Sequence, residues 1–148
     1  MILPGHLDLY ADGDKRKDLF FFGNGAMRSG KWNNKYGVVN LIRLAEMYLI
    51  RAESNYRLGT ITGATPLNDY NAIHTTAGLP AATSVTLEDI LLERRLELSF
   101  EGFRIHDVRR LHEKVANYPY DDPKLVFPIP ARELEANPSL KDEQNPGY

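Results

Sequence analysis

The sequence predicts a mainly α-helical fold, with a helical hairpin, a long central helix and loop-rich ends. Three observations carry that reading. Leu41, Leu44, Ala45, Tyr48, Leu49, Ala52 and Tyr56 recur at the spacing of a single helix face. Between Thr86 and Leu111, Leu87, Leu91 and Leu98 form one apolar row, and Leu92, Leu96 and Phe103 form a second beside it. A helix apolar over that much of its circumference is buried between other elements. Glycine, proline and asparagine crowd Met1–Val39 and the chain after Val115, where no period survives.

Taken in order, the first 39 residues read as irregular, with turn signals at Asp12-Gly13-Asp14, Gly23-Asn24-Gly25 and Ser29-Gly30. Leu19-Phe20-Phe21-Phe22 is a short apolar run that reads as a buried strand or an ordered, packed loop. Trp32, Asn34 and Tyr36 follow on a polar loop. They are candidates for stacking on and hydrogen-bonding to a sugar ring, and the plainer reading is that Trp32 anchors the loop on the core. Asn40 suits an N-cap, predicting a helix near 40–57 with a stop at Gly59. Ile42, Met47 and Ile50 lie off its main apolar face, so neighbours are expected on two sides.

Pro66 opens a shorter helix near 67–75, which completes an antiparallel hairpin. Thr86 and Asp89 make a weakened capping box for a helix near 87–101. Gly102 interrupts it before a resumed helix near 104–114. Beyond that, Tyr118-Pro119-Tyr120 sits in a rigid turn, Leu125-Val126-Phe127 is a brief extended run, and Ala131–Ala136 has room for one or two helical turns. Any sheet is expected only as a short two-stranded pairing at Leu19–Phe22 or Leu125–Phe127.

The totals exclude several chemistries. The chain has 148 residues, 43% hydrophobic and 26% charged, and a net charge of −2, so no electrostatic case arises for nucleic acid. There is no cysteine, hence no disulfide, thiolate site or thiol nucleophile. No apolar run reaches the roughly 18 residues of a membrane span. Neither a glycine-rich phosphate loop nor a serine elbow occurs, and no cofactor is expected.

The central stretch mixes apolar rows with charge. Asp89, Glu93, Glu97 and Glu101 follow at i,i+4 and stack into one acidic row. Like charges at that spacing cost an isolated helix about 0.2–0.5 kcal/mol per pair. Arg94, Arg95, Arg104, Arg109 and Arg110 are the cations expected to reach across. The reading is therefore a structural network of Glu93, Arg94, Glu97, Glu101, Arg104, Asp107 and Arg110, in which Arg104→Ala or Glu97→Ala destabilises strongly. Paired carboxylates also invite glycoside hydrolysis, but a general acid needs a raised pKa and nearby arginines lower it. His106, Asp107 and His112, and separately His6 and Asp8, lack the i,i+4 histidine spacing of a zinc helix. No catalytic or metal residue is assigned.

Four stretches together resemble one family: LIRLAEMYLIRAESNYRLG, YNAIHTTAGL, LLERRLELSFEGFRIHDVRR, and the tail LVFPIPARELEANPSL followed by QNPGY. They are similar to the C-terminal portion of the SusD/RagB family of outer-membrane nutrient-binding lipoproteins in Bacteroidota. DKRKDLFFF and KWNNKYG fit its less distinctive upstream part. Glu46, Glu53, Arg95, Gly102, Pro128, Pro130, Asn137, Asn145, Pro146 and Gly147 match the family pattern, besides the network residues. His74 and Thr76 stand where arginines are usual, and Ile105-His106 replaces a commonly aromatic pair.

The resemblance implies a tetratricopeptide-like α scaffold in which residues 1–148 form a single C-terminal domain. It also implies non-catalytic capture of glycans, or in some members peptides, by a surface lipoprotein partnered with a TonB-dependent SusC-like porin. Tyr118 and Tyr120 join Trp32, Asn34 and Tyr36 as ligand candidates. The stretch after Met1 lacks the family's signal peptide and lipidated cysteine, so the chain is expected to be the last part of such a protein and to bind glycans feebly or not at all by itself. The alternative is a helical-repeat module that holds another protein.

Overall fold

The computed structural model of the protein describes residues 2, 4–34, 36–39 and 41–148. In order, the elements are α1 (Pro4–Leu7), β1 (Phe20–Gly23), β2 (Ala26–Ser29), α2 (Leu44–Leu58), α3 (Pro66–His74), α4 (Leu87–Glu97), α5 (Arg104–Arg110) and α6 (Ala131–Ala136). Short 3₁₀ turns occupy Lys15–Leu19, Pro123–Leu125 and Pro138–Glu143. The fold is mainly helical. Packing divides the chain into two compact units, Met1–Phe100 and Glu101–Tyr148.

In the first unit α2 packs on both α3 and α4, and α3 on α4. Ala52, Tyr70 and Ile90 form the shared core, with Ala82 and Val85 against it. Leu49 and Ile90 are fully buried, worth about 1.5–3 kcal/mol each. Three of these helix ends have a local cause. Gly59, at φ 63°, closes α2 while Thr60 N–H reaches back to Asn55 C=O at 2.9 Å, a Schellman closure that L side chains resist. Asn55 is buried and uses its whole amide: Nδ2 donates to the carbonyls of Thr62 and Ala64, and Oδ1 accepts from Thr60 Oγ1 and Thr62 N–H. Thr65 caps α3 with Pro66 in its first turn, and Thr86 with Asp89 makes the capping box of α4. Arg51 grips Asp69 bidentately at 2.8 and 2.7 Å, joining α2 to α3.

Several expectations are corrected. Asn40 lies outside the described residues, and α2 begins at Leu44 after Arg43, whose side chain makes no capping bond. Leu41 precedes the helix and is exposed. Ile42, Leu44, Met47, Ile50 and Leu58 are exposed too, so the helix meets its two neighbours, α3 and α4, largely through other residues. Leu92 is likewise exposed, so α4 is not buried all round. The central helix stops at Glu97 rather than at 101, because the chain turns through Phe100 and Gly102, both at positive φ. Gly102, at φ 85°, adopts this backbone without the Cβ penalty that Phe100 meets. The resumed helix ends at Arg110, short of 114, with His112 at φ 54°. Leu19–Phe22 does supply a strand, but Phe21 and Phe22 are exposed rather than buried. Leu125 ends a 3₁₀ turn, and Leu125–Phe127 joins no sheet among the described residues.

The acidic row is neutralised from elsewhere in the chain. Arg16, in the turn after α1, donates to Glu93 at 2.7 Å and Glu97 at 3.3 Å, and to both oxygens of buried Asp14. Arg43 donates to Glu97 at 2.7 Å, and His74 Nδ1 lies 3.0 Å from Glu93. Arg94 reaches Glu46 of α2 at 3.4 Å. Burial alone would lower the pKa of Arg16, but its bonds to Asp14 and Glu93 outweigh that and raise it. Burial would likewise raise the pKa of Asp14; bonds from Arg16 prevail and lower it.

In the second unit Arg110 pairs with Asp107 at 2.8 Å, and Arg104 with Glu113 across a pair that is 40% and 38% exposed. The tail motifs explain each other. Gln144 Oε1 accepts Ile129 N–H at 2.8 Å and its Nε2 donates to Ile129 C=O at 3.1 Å, so one side chain replaces a strand partner for the PIP segment. Asn145 and Tyr148 donate to the carbonyls of Phe127 and Val126.

Arg16→Ala strands buried Asp14 and Glu93 and should cost about 3–5 kcal/mol in urea unfolding. Arg104→Ala, at an exposed pair, should cost about 1 kcal/mol or less. Because the folded pKa of Asp14 lies below 3.8, its stabilisation is present above that pH and lost as pH falls through the folded value; Asp14→Asn should remove that acid limb from the stability profile. In the second unit, Gln144→Ala leaves both backbone groups of Ile129 unpaired, about 1–3 kcal/mol. Hydrogen exchange at Ile129 should accelerate while the amides of α2–α4 keep their protection.

Candidate functional site

The aromatic loop region is built on the β1–β2 hairpin and the end of α4. Asn24 and Gly25, both at positive φ, form the two-residue loop that strand twist favours. Its register sets Phe20 opposite Ser29, Phe21 opposite Arg28 and Phe22 opposite Met27. Since side chains alternate, Phe20 and Phe21 go to different faces. Phe20 joins an edge-to-face cluster with His6, Tyr10 and Phe100 at centroid distances of 5.4 to 6.0 Å. Burial there pushes the His6 imidazole down, helped by the charge of Arg95, and pushes the Tyr10 phenol up. Tyr10 OH donates to Leu96 C=O at 3.3 Å and Ser99 Oγ at 3.1 Å, fixing the N-terminal segment to the end of α4.

A helix C-terminus leaves carbonyls unpaired and carries negative partial charge. At α4 those carbonyls collect donors from the loop. Lys31 Nζ donates to Glu97 C=O at 2.8 Å and Ser99 C=O at 3.1 Å, while Arg43 Nη2 reaches Glu97 C=O at 2.9 Å. Trp32 Nε1–H donates to Phe100 C=O at 2.9 Å. Phe100 itself holds φ 64°, a conformation costing a non-glycine residue about 1–3 kcal/mol. The residue as a whole is nonetheless 43% exposed.

Phe21, Met27, Arg28, Asn33 and Phe100, with Ile2 at one end, line an open cleft of about 520 Å³. Phe21 is 42% exposed. A Cβ on Gly23 would lie 3.3 Å from ring atom Cε2 of Phe21, and one on Gly30 would lie 3.8 Å from Cε1. The two glycines thus let the ring lie down along the hairpin. Arg28 Nε donates to Gly23 C=O at 3.0 Å, and among the described residues no carboxylate pairs with its guanidinium. A smaller pocket of about 170 Å³ beside Arg16, Lys31, Arg43 and Glu97 is lined by charges already paired with each other or with backbone.

The sequence candidates fall in both units. Trp32, Asn34 and Tyr36 share one loop of the first. Trp32 both anchors that loop through its N–H and leaves its ring 45% exposed. Asn34 Oδ1 accepts the Tyr36 N–H at 3.2 Å, and the Tyr36 ring stands out into solvent. Tyr118 and Tyr120 belong to the second unit. Tyr118 closes a bridge with Val115 and lies under Lys124, and Tyr120 stacks on His112 at 4.2 Å. Sequence reasoning places Asn33 on the polar loop but singles out none of Phe21, Arg28, Asn33 and Phe100, which line this cleft, as a ligand candidate. The cue was available: Phe-Phe-Phe, a Gly-Asn-Gly turn and an arginine at the paired register place Phe21 beside Arg28. His6 is spent on the aromatic cluster, and among the described residues no three His, Asp or Glu converge as a metal site would require.

Comparison with known proteins agrees with this architecture. The sequence model of the SusD family matches residues 22–124. A SusD-like protein of Formosa agariphila is 36% identical, over 73% of this chain and 24% of its own. Among solved structures, a SusD-like carbohydrate binding protein from Bacteroides vulgatus is 34% identical with a TM-score of 0.63, covering 74% of this chain and 27% of that one. A putative sugar binding protein from the same species is 30% identical with a TM-score of 0.67, covering 92% and 36%. The chain thus spans about a quarter to a third of these relatives' lengths. By the extent of the family match and the identity of these relatives, the chain belongs to the SusD family.

Proposed function

We propose that residues 1–148 are the C-terminal portion of a surface lipoprotein of the outer membrane that captures glycans without cleaving them. It hands them to a TonB-dependent SusC-like porin for import. The observation that carries this reading is family membership together with relatives described as carbohydrate and sugar binding. The geometry fits capture: Trp32 presents an exposed indole held in place by its own hydrogen bond, so little conformational entropy is lost on stacking. It fits hydrolysis poorly. Glu93 and Glu97 each have a guanidinium nitrogen at 2.7 Å, the reverse of the apolar surroundings that keep a general acid protonated. Glu93, Glu97 and their partners therefore serve the fold.

Calorimetry with an oligosaccharide panel on the protein as its cell makes it tests this. Binding is expected with the sugars recovered intact, and Trp32→Ala should weaken it by at least about 1 kcal/mol. Unchanged affinity in that variant would remove Trp32 from the site. Binding of peptides alone, or turnover abolished by Glu97→Gln, would overturn the reading.

A further inference from the structure

We propose that the cleft between Phe21 and Phe100 is a subsite for an acidic sugar, a hexuronate unit of the captured glycan. The proposal rests on the glycan reading above and adds to it a location and a charge preference. Phe21 lies along the hairpin over Gly23, where a side chain would press on the ring, and within van der Waals reach of Gly30, and it leaves apolar surface exposed. The C–H face of a pyranose packs on such a surface. Phe100 supplies a second exposed ring, and its strained backbone is clamped by the Trp32 bond, so both rings are set before a ligand arrives.

The polar groups decide which sugar. Among the described residues Arg28 is the only charged one lining the cleft, and no acid lines it. Its Nε bond to Gly23 C=O fixes the plane of the guanidinium beside Phe21, its partner in the hairpin register. The terminal nitrogens remain as donors. A carboxylate accepts from such a fork in two parallel bonds, which a hydroxyl cannot do. Asn33, whose Nδ2 lies where a Cβ on Gly30 would be 3.2 Å away, adds a planar amide for the ring hydroxyls. A neutral sugar would stack here and leave the cation to water.

The test is titration of the isotope-labelled 148-residue chain with digalacturonate and with galactobiose, followed by nuclear magnetic resonance, which detects weak association. Saturable shifts are expected at Phe21, Arg28, Asn33 and Phe100, with digalacturonate bound roughly tenfold tighter, the scale of one charge-assisted pair. Arg28→Gln should abolish that preference while leaving galactobiose binding as it was. Phe21→Ala should weaken both sugars, with an unchanged helical spectrum showing that the fold persists. Equal binding of the two sugars at the cleft would overturn the acid preference and leave the glycan reading intact. Shifts confined to other residues would overturn the location, again without touching that reading. If neither sugar binds this chain, the subsite is wrong, and calorimetry on the protein as its cell makes it judges the glycan reading separately.

Discussion

One guanidinium organises the first unit. Arg16 stands among Asp14, Glu93 and Glu97, three carboxylates drawn from two stretches of chain that are far apart in sequence. Asp14 and Glu93 are nearly inaccessible to water, so neither is tolerable as an unpaired charge. Burying such a set is no gain in itself, since desolvation offsets most of the Coulomb attraction. Its effect is specificity. The segment before the hairpin has one place to sit against α4, because every other register would strand a buried ion.

The candidate site depends on that placement. With Arg16 fixed, Tyr10 reaches the last turn of α4 and Phe20 packs on Phe100. The strands then leave Phe21 and Arg28 on the opposite face from Phe20. The loop after the hairpin supplies Lys31, Trp32 and Arg43 to carbonyls at the end of α4. Those donors hold the chain through the left-handed turn at Phe100 that ends the helix. A stop four residues earlier than periodicity suggests is therefore the cost of aiming Phe100 outward.

Much of this was legible. The existence of α2 and α3, Pro66 in the first turn of α3, the cap at Thr86 and the stop at Gly59 all follow from local chemistry, which is present in short windows of sequence. The partners of the acidic row were not. Nearby arginines are visible to a helical wheel, whereas Arg16 lies 77 positions from Glu93 and Arg43 lies 54 from Glu97. The exposure of Leu44, Met47 and Ile50 was not legible, because periodicity shows where a face is, not whether anything covers it. The tail motif QNPGY became intelligible only once Gln144 was seen bonding both backbone groups of Ile129. Among ligand candidates, aromatic residues in loops stood out, while Phe21 and Phe100 looked like core by composition.

The central claim is that the Arg16 cluster, and not charge pairing within the α4 stretch, fixes the architecture of the first unit. A double-mutant cycle between Arg16→Met and Glu93→Gln, measured by urea unfolding, tests it most directly. A coupling of about 2–3 kcal/mol is predicted, because Arg16→Met strands the buried Glu93 charge only while Glu93 is present, whereas Asp14 is stranded in both Arg16 variants and cancels from the cycle. A coupling under about 0.5 kcal/mol, the level of independent sites, would contradict the claim and return the acidic row to the neighbouring arginines of its own stretch.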